Sequence, residues 1–302
     1  MGTPTVGSTV RALITHGDGE FTESTYQIPS LEQGDVLVKA VMTGVCRSDV
    51  AMMKGDFPLL PPHMHGHEGL GIVTESRSDL EPGTFVATRG EPAYADYYVA
   101  RKDNYVQVPE LDPKYIVEPV ACGINIVLNS YPAIERKKNG KLAIIGSGFL
   151  AKIVHQTLLN FFLDFDVDVI GHSNSGYWQS LLTDTPRHEE YDVIIDISER
   201  DTVQNLQIAE NGLIVMAAEK SPAITTTFGD WLWRNAKMDF PSPRSEYFLQ
   251  CMKTAVTWIE LGKLSVDNTW TRGYNRDTEW RQAFEDADQR PQGYNRGYII
   301  WD

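Results

Sequence analysis

The chain has 302 residues, with 41 acidic side chains against 27 lysines and arginines and a net charge of -14; a field of that sign repels a phosphate backbone and argues against a nucleic-acid partner. A composition of 42% hydrophobic and 23% charged residues suits a globular chain long enough for two domains, and no stretch reaches the roughly 20 apolar residues that span a bilayer. Three scattered cysteines, Cys46, Cys122 and Cys251, argue against a disulfide framework, and the first 21 residues lack a signal-type apolar segment, so the expected location is a reducing cytoplasm.

Residues 9–40 read as short strands around a Gly17-Asp18-Gly19 turn, and residues 36–41 form a strand that leads to Cys46. The stretch 43–73 holds a cysteine and then His67 and Glu68 side by side, with Gly44, Gly66, Gly69 and Gly71 around them. Thiolate, imidazole and carboxylate are the ligand types that zinc accepts, and a catalytic zinc needs only three of them. A lone cysteine is more often a small buried hydrophobe, so this cluster alone does not decide the matter. Residues 73–101 continue as short strands with Pro/Gly punctuation, the last of them over 93–100, which suggests a compact β-barrel domain ending near Asp112-Pro113.

Residues 114–136 carry apolar side chains at helical spacing, with Glu118 inside that region beside Pro119. Two readings stay open for Glu118: a carboxylate favoured by a helix N-terminus, or a buried group that needs a partner. A buried-type strand at 141–145 runs into Gly146-Ser147-Gly148-Phe149-Leu150-Ala151 and then into a helix. This is the dinucleotide pattern: one glycine turns, the second lets the pyrophosphate approach, and a small third residue packs helix on strand. The next strand, 166–171, ends without the acid that would bond an NAD ribose; Asp168 lies within it. His172, Ser173 and Asn174 follow and could accept a 2′-phosphate, which leans towards NADP, or they are simply turn residues. Strands are expected at 191–198 and 211–219. The short passage from His172 to Tyr191 implies that a strand or helix of the usual fold is reduced or missing. An amphipathic helix at 246–264, a helix at 279–288 and a final strand at 297–301 complete the reading, the last strand rejoining the first domain. Cys122 and Cys251 are expected at buried apolar positions, and Trp231 and Trp233 in packing or a subunit contact.

With both motifs in view, the chain resembles the medium-chain zinc-dependent alcohol and polyol dehydrogenase family. Residues 44–49 resemble its first zinc motif, 66–73 its Gly-His-Glu motif, 117–124 the stretch giving a third ligand in polyol-type members, and 146–151 its nucleotide loop. The resemblance implies an α/β fold: a GroES-like β-barrel catalytic domain (1–118 and 265–302) and a shortened Rossmann nucleotide-binding domain (119–264). It implies one catalytic zinc on Cys46 and His67, with Glu118 or Glu68 as a further ligand, and NADP or NAD as cofactor. Ser48 would take the substrate's alcohol proton, Asp49 would orient His67, and Arg47 and Arg296 would pair with the pyrophosphate. The substrate would be a small alcohol or its carbonyl product, and the assembly a homodimer joined through the edge strand at 211–219. Two departures stand out. No cysteine lies between Ala87 and Ala100, so no structural zinc lobe is expected, and Ala51 stands where some members have a relay histidine. The alternatives are a zinc-free reductase of the same superfamily and a non-enzymatic binding relative.

Overall fold

Seven strands, rich in β-branched and aromatic residues, lie among the described residues of the first hundred. The computed structural model describes residues 3–56, 63–90, 92–172, 176–178, 180–198, 202–218 and 228–301. The chain divides into two units, Met1–Pro119 with Met252–Asp302, and Val120–Cys251. The second break falls inside a helix, earlier than the boundary at 264/265 read from the sequence.

In the first unit, β1 (Thr9–Thr15) and β2 (Phe21–Gln27) pair antiparallel with Thr15 opposite Phe21. β3 (Val36–Val45) runs past the expected strand end and leads into the short helix α1 (Arg47–Met53). After β4 (His63–Met64) come β5 (Glu68–Ser76), β6 (Phe85–Arg89), β7 (Tyr97–Ala100) and β8 (Tyr105–Gln107). β5 lies antiparallel to β3, and Gly71 permits their contact: a Cβ there would come within 2.2 Å of the Lys39 carbonyl oxygen. β7 is shorter than the strand expected over 93–100. The amides of Ala93 and Tyr94 leave that ladder and donate to the carbonyls of Gly66 and His65, at 2.8 and 2.9 Å.

A 3₁₀ turn at Pro113–Tyr115 and α2 (Glu118–Asn129) then α3 (Tyr131–Glu135) replace the single helix expected over 114–136. Pro119 suits a first helical turn, and Pro132 has no N–H with which to continue the ladder of α2. In the second unit follow β9 (Lys141–Ile145), α4 (Phe149–Asn160), β10 (Asp166–Ile170), β11 (Leu182–Thr183), β12 (Tyr191–Asp196), β13 (Ile208–Met216), α5 (Gly229–Trp233), β14 (Lys237–Asp239) and α6 (Phe248–Glu260), which ends in the first unit. The six strands are parallel in the order β11-β10-β9-β12-β13-β14. Counted within the unit that is 3-2-1-4-5-6, the doubly wound Rossmann order, with its switch point beside the first strand. The reduction expected before Tyr191 is found: β11 has two residues, and among the described residues no helix separates β10 from β12. β13 is interior and β14 takes the edge, so the segment 211–219 is not the sheet edge it was expected to be. Cys251 is buried and Cys122 only half-buried.

The chain returns to the first unit with β15 (Trp270–Asn275), α7 (Trp280–Gln289) and β16 (Arg296–Ile300). β16 pairs with β3, Gly297 opposite Val45, and the Trp301 indole donates to Thr43 Oγ1 at 3.0 Å. α7 turns Trp280, Ala283, Phe284 and Ala287 inward, and Phe284 stacks on Phe21 at 4.2 Å between centroids, a helical stripe closing one barrel core. Among the described residues no helix is long and apolar enough to cross a membrane.

Candidate metal centre and dinucleotide loop

Cys46 is the N-cap of α1 at the end of β3, and Glu68 opens β5 after His67. The turn at Gly66 has φ +87°, where a Cβ would meet Tyr94 at 2.7 Å, so glycine alone fits there. These elements gather a sulfur of Cys46, a ring nitrogen of His67 and a carboxylate oxygen of Glu68 within 4.8 Å of one another. Behind them Asp49 is fully buried. It accepts hydrogen bonds from the Cys46 amide at 3.0 Å and the Tyr94 hydroxyl at 2.8 Å, and its other oxygen lies 3.4 Å from His67 Nδ1.

Burial alone would push the Asp49 carboxyl up; the facing His67, with the Cys46 amide and the Tyr94 hydroxyl, outweighs it and holds the carboxyl below its ordinary value. Burial would likewise pull His67 down, but Asp49, helped by Cys46, raises it well above the ordinary histidine value. The field of this pocket therefore favours positive charge on the ring. With Nδ1 turned to Asp49, Nε2 is the nitrogen left for a ligand, 3.9 Å from Glu68 Oε1. A carboxylate on the far nitrogen is the usual support of a metal-binding histidine.

Arg296 enters this group from β16. Its Nη2 contacts both oxygens of the fully buried Glu68. Trp270 lies under the guanidinium at 5.2 Å from the ring centroid. Gly44 makes room: a Cβ there would stand 2.1 Å from Glu68 Oε2 and 3.0 Å from Trp270. Burial would lower the Arg296 pKa, but Glu68, Cys46 and Glu118 together raise it, so the guanidinium is a firm cation. Arg296 was expected at a cofactor pyrophosphate; in the structure its Nη2 is in contact with the Glu68 carboxylate. Glu118, the first residue of α2, is buried and contributes to that field, but it is not among the three close donors. Ser48 is half-buried in the first turn of α1, and Arg47 is exposed beside it.

Thiolate, imidazole and carboxylate at these separations fit a zinc ion. Bond lengths of about 2.0 to 2.3 Å put tetrahedral ligand atoms roughly 3.5 Å apart, so the three donors have only to close by about an ångström. Of the three, Glu68 is also in contact with Arg296.

The second site lies in the second unit. Gly146, with φ +112°, turns the chain at the end of β9, and its amide donates to the Ile170 carbonyl at 2.8 Å. Ser147 is buried. Gly148 is the exposed N-cap of α4, with no side-chain cap, and among the described residues other than its chain neighbours nothing lies within 4 Å of where a Cβ would stand. Phe149 and Ala151 are buried, Ala151 completely, and Leu150 is half-buried. An open glycine N-cap, which itself offers no capping side chain, on a 12-residue helix is a fitting seat for a pyrophosphate.

The residue that follows β10 is Gly171, where a Cβ would meet Ser147 Oγ at 2.5 Å. No acid can stand there. Asp168 is inside the strand, bound by Arg187 and by the Tyr191 hydroxyl at 2.5 Å. Burial would raise its carboxyl; Tyr191 and Arg187 outweigh that and hold it low, so its role is structural. His172 is exposed, 3.1 Å from Asp184; Ser173 and Asn174 lie outside the described residues. Asp184, Arg187 and Trp178, whose indole reaches the Ser147 carbonyl, carried no motif and were missed.

Residues 32–110 match the alcohol dehydrogenase GroES-like domain. The chain is similar to sorbitol dehydrogenase of Mus musculus, 38% identical over 106 residues that cover 32% of this chain and 29% of that protein. It is similar to an alcohol dehydrogenase of Geobacillus stearothermophilus, 51% identical over 163 residues that cover 42% of this chain and 48% of that one. The matches thus span less than half the length of either relative. Among solved structures, acetophenone reductase of Geotrichum candidum in complex with NAD superposes with a TM-score of 0.80 at 17% identity, covering 99% of this chain and 98% of that one; at that identity the likeness speaks for the fold.

Proposed function

Since the chain belongs to the medium-chain alcohol and polyol dehydrogenase family, we propose that it is a zinc-dependent, NAD(P)-linked oxidoreductase that moves a hydride between nicotinamide and the carbon of an alcohol or polyol. The observation that carries this reading is the convergence of Cys46, His67 and Glu68 within 4.8 Å, with Asp49 set behind the imidazole. In this reading Cys46 and His67 hold the ion, and Glu68 or Glu118 supplies the third protein ligand.

Bound there, zinc would supply Lewis-acid polarisation of the substrate oxygen, and the nicotinamide would supply the hydride acceptor. Asp49 keeps the proton on His67 Nδ1 and so aims Nε2. Ser48, two residues from Cys46, takes the proton of the substrate hydroxyl. Ala51 offers no ring nitrogen, so that proton leaves by another path. The unit built from Met1–Pro119 and Met252–Asp302 is the catalytic domain, and Val120–Cys251 the nucleotide-binding domain. The 146–151 loop receives the pyrophosphate.

The missing acid after β10 favours NADP, while Asp184 beside His172 is the nearby acid that would favour NAD; comparing the affinities of the two reduced cofactors decides between them. A homodimer would form through β14, the edge strand among the described residues, with Leu232, Trp233 and Phe240, exposed by 77%, 87% and 71%, close to it in the sequence. The location would be the cytoplasm.

A zinc-free reductase is the second reading, and the Arg296–Glu68 pair is what favours it, because the guanidinium already neutralises one of the three donors. The two are separated by a panel of alcohols, polyols and their carbonyls offered with NAD⁺, NADP⁺ and the reduced forms. Turnover that is lost on chelation and restored by zinc supports the first reading. Turnover indifferent to chelation supports the second, and cofactor binding without turnover on any substrate would leave a binding relative.

A further inference from the structure

Trp178 is among the largest fully buried side chains, 1% exposed, and it comes from the passage between β10 and β12, which holds no helix among the described residues. Its indole N–H donates to the Ser147 carbonyl at 2.8 Å. Its carbonyl accepts from the Leu181 amide at 2.8 Å, and the Leu181 carbonyl accepts from Val169 of β10 at 2.9 Å. The neighbouring Tyr177 pairs its hydroxyl with His155 Nδ1 of α4 at 2.8 Å and packs edge-on against Trp178, 4.8 Å between centroids. The turn at 176–178 is thus fastened to the strand on one side and to the helix on the other.

The consequence lies in one peptide plane. The Ser147 carbonyl and the Gly148 N–H belong to the same trans peptide and point in opposite directions. Fixing the carbonyl inward on Trp178 therefore aims the Gly148 N–H outward, to the side where Gly148 is exposed and where, among the described residues other than its chain neighbours, no atom stands within 4 Å of a Cβ.

We propose that Trp178 is a positioning residue for cofactor binding: through the Ser147 carbonyl it orients the Gly148 amide towards the pyrophosphate, and the 176–178 turn thereby serves as loop support in a passage that shows no helix among the described residues. The inference rests on the dinucleotide reading of the 146–151 loop.

The test is calorimetric titration of NADH and of NADPH into the wild-type chain, into Trp178→Phe, and into a chain carrying 3-benzothienylalanine at 178, which keeps the indole shape without the N–H. The expected result is a cofactor Kd raised about tenfold in both variants, the scale of one unsatisfied buried acceptor. KM for the cofactor rises with it, kcat at saturating cofactor stays near wild type, and zinc content does not change. If Trp178→Phe fails to fold, the isosteric chain decides. A benzothienyl chain that binds within twofold of wild type overturns the inference, as does loss of thermal stability with affinity intact, which is a packing role only. A wild-type chain that binds neither dinucleotide overturns the loop reading itself, and the inference with it.

Discussion

The metal group and the dinucleotide loop are two sites built on opposite plans. Around the first, side chains do the work: a thiol, an imidazole facing the Asp49 carboxylate, and a second carboxylate held by a guanidinium from the far end of the chain. Around the second the backbone does it: an open glycine amide at a helix start, aimed by a carbonyl held from below. A site made of side chains is sensitive to charge and to the room each group occupies. A site made of backbone is sensitive to what holds the peptide planes, and those supports have no fixed residue type.

The contrast breaks most readily at Asp49. Asp49→Asn keeps the shape and removes the charge facing His67, and metal affinity should fall roughly 10- to 100-fold, the usual cost of losing such support, measured by competition with a chromogenic chelator. The same variant sharpens the pH behaviour of the metal-free chain. His67 is raised in the folded state, so its contribution is complete below the ordinary histidine value of about 6.5 and is lost as pH rises through the higher folded value. Asp49 is lowered, so its contribution is present above the ordinary aspartate value of about 3.9 and is lost as pH falls through the folded value. Melting temperature against pH should decline on both flanks in the wild type, and the alkaline decline should shrink in Asp49→Asn.

Gly44→Ala tests the room around the carboxylate. A methyl group 2.1 Å from Glu68 Oε2 must displace the Arg296–Glu68 pair, with an expected loss of about 1 to 3 kcal/mol of stability in denaturant melts and weaker metal binding alongside. In the second unit, Arg187→Leu removes the guanidinium from the buried Asp168. It should cost about 1 to 3 kcal/mol while leaving zinc content untouched, which metal analysis of the folded variant checks. The smallest effect on stability belongs to Trp233→Ser. That side chain is 87% exposed, so melting should hardly move, and light scattering should show the dimer weakened if β14 is the contact.

What could be read from the sequence follows the same division. Cys46, His67 and Glu68 stand in short motifs whose residue types name their chemistry, and Gly146 and Gly148 mark a backbone turn by what they lack. Arg296 could be seen only as a cation before the last strand; its carboxylate partner lies more than two hundred positions away and is reached because β16 closes onto β3. Trp178 reads as one more apolar residue, since nothing local distinguishes an indole that fills a core from one that holds a carbonyl. The strand-like stretch at 93–100 was overextended because Ala93 and Tyr94 carry strand-type side chains while their amides serve another partner. β11 is two residues long, too short for any periodicity, and the three-residue β14 took the sheet edge from the longer and more apolar β13.

The central claim is that Cys46 and His67 hold one zinc, and it is tested most directly by elemental analysis of the purified chain with Cys46→Ala beside it. The account predicts one zinc per wild-type chain and none in the variant. A wild-type chain that takes up no zinc even when supplied with it, or a Cys46→Ala chain that keeps its zinc, would contradict it.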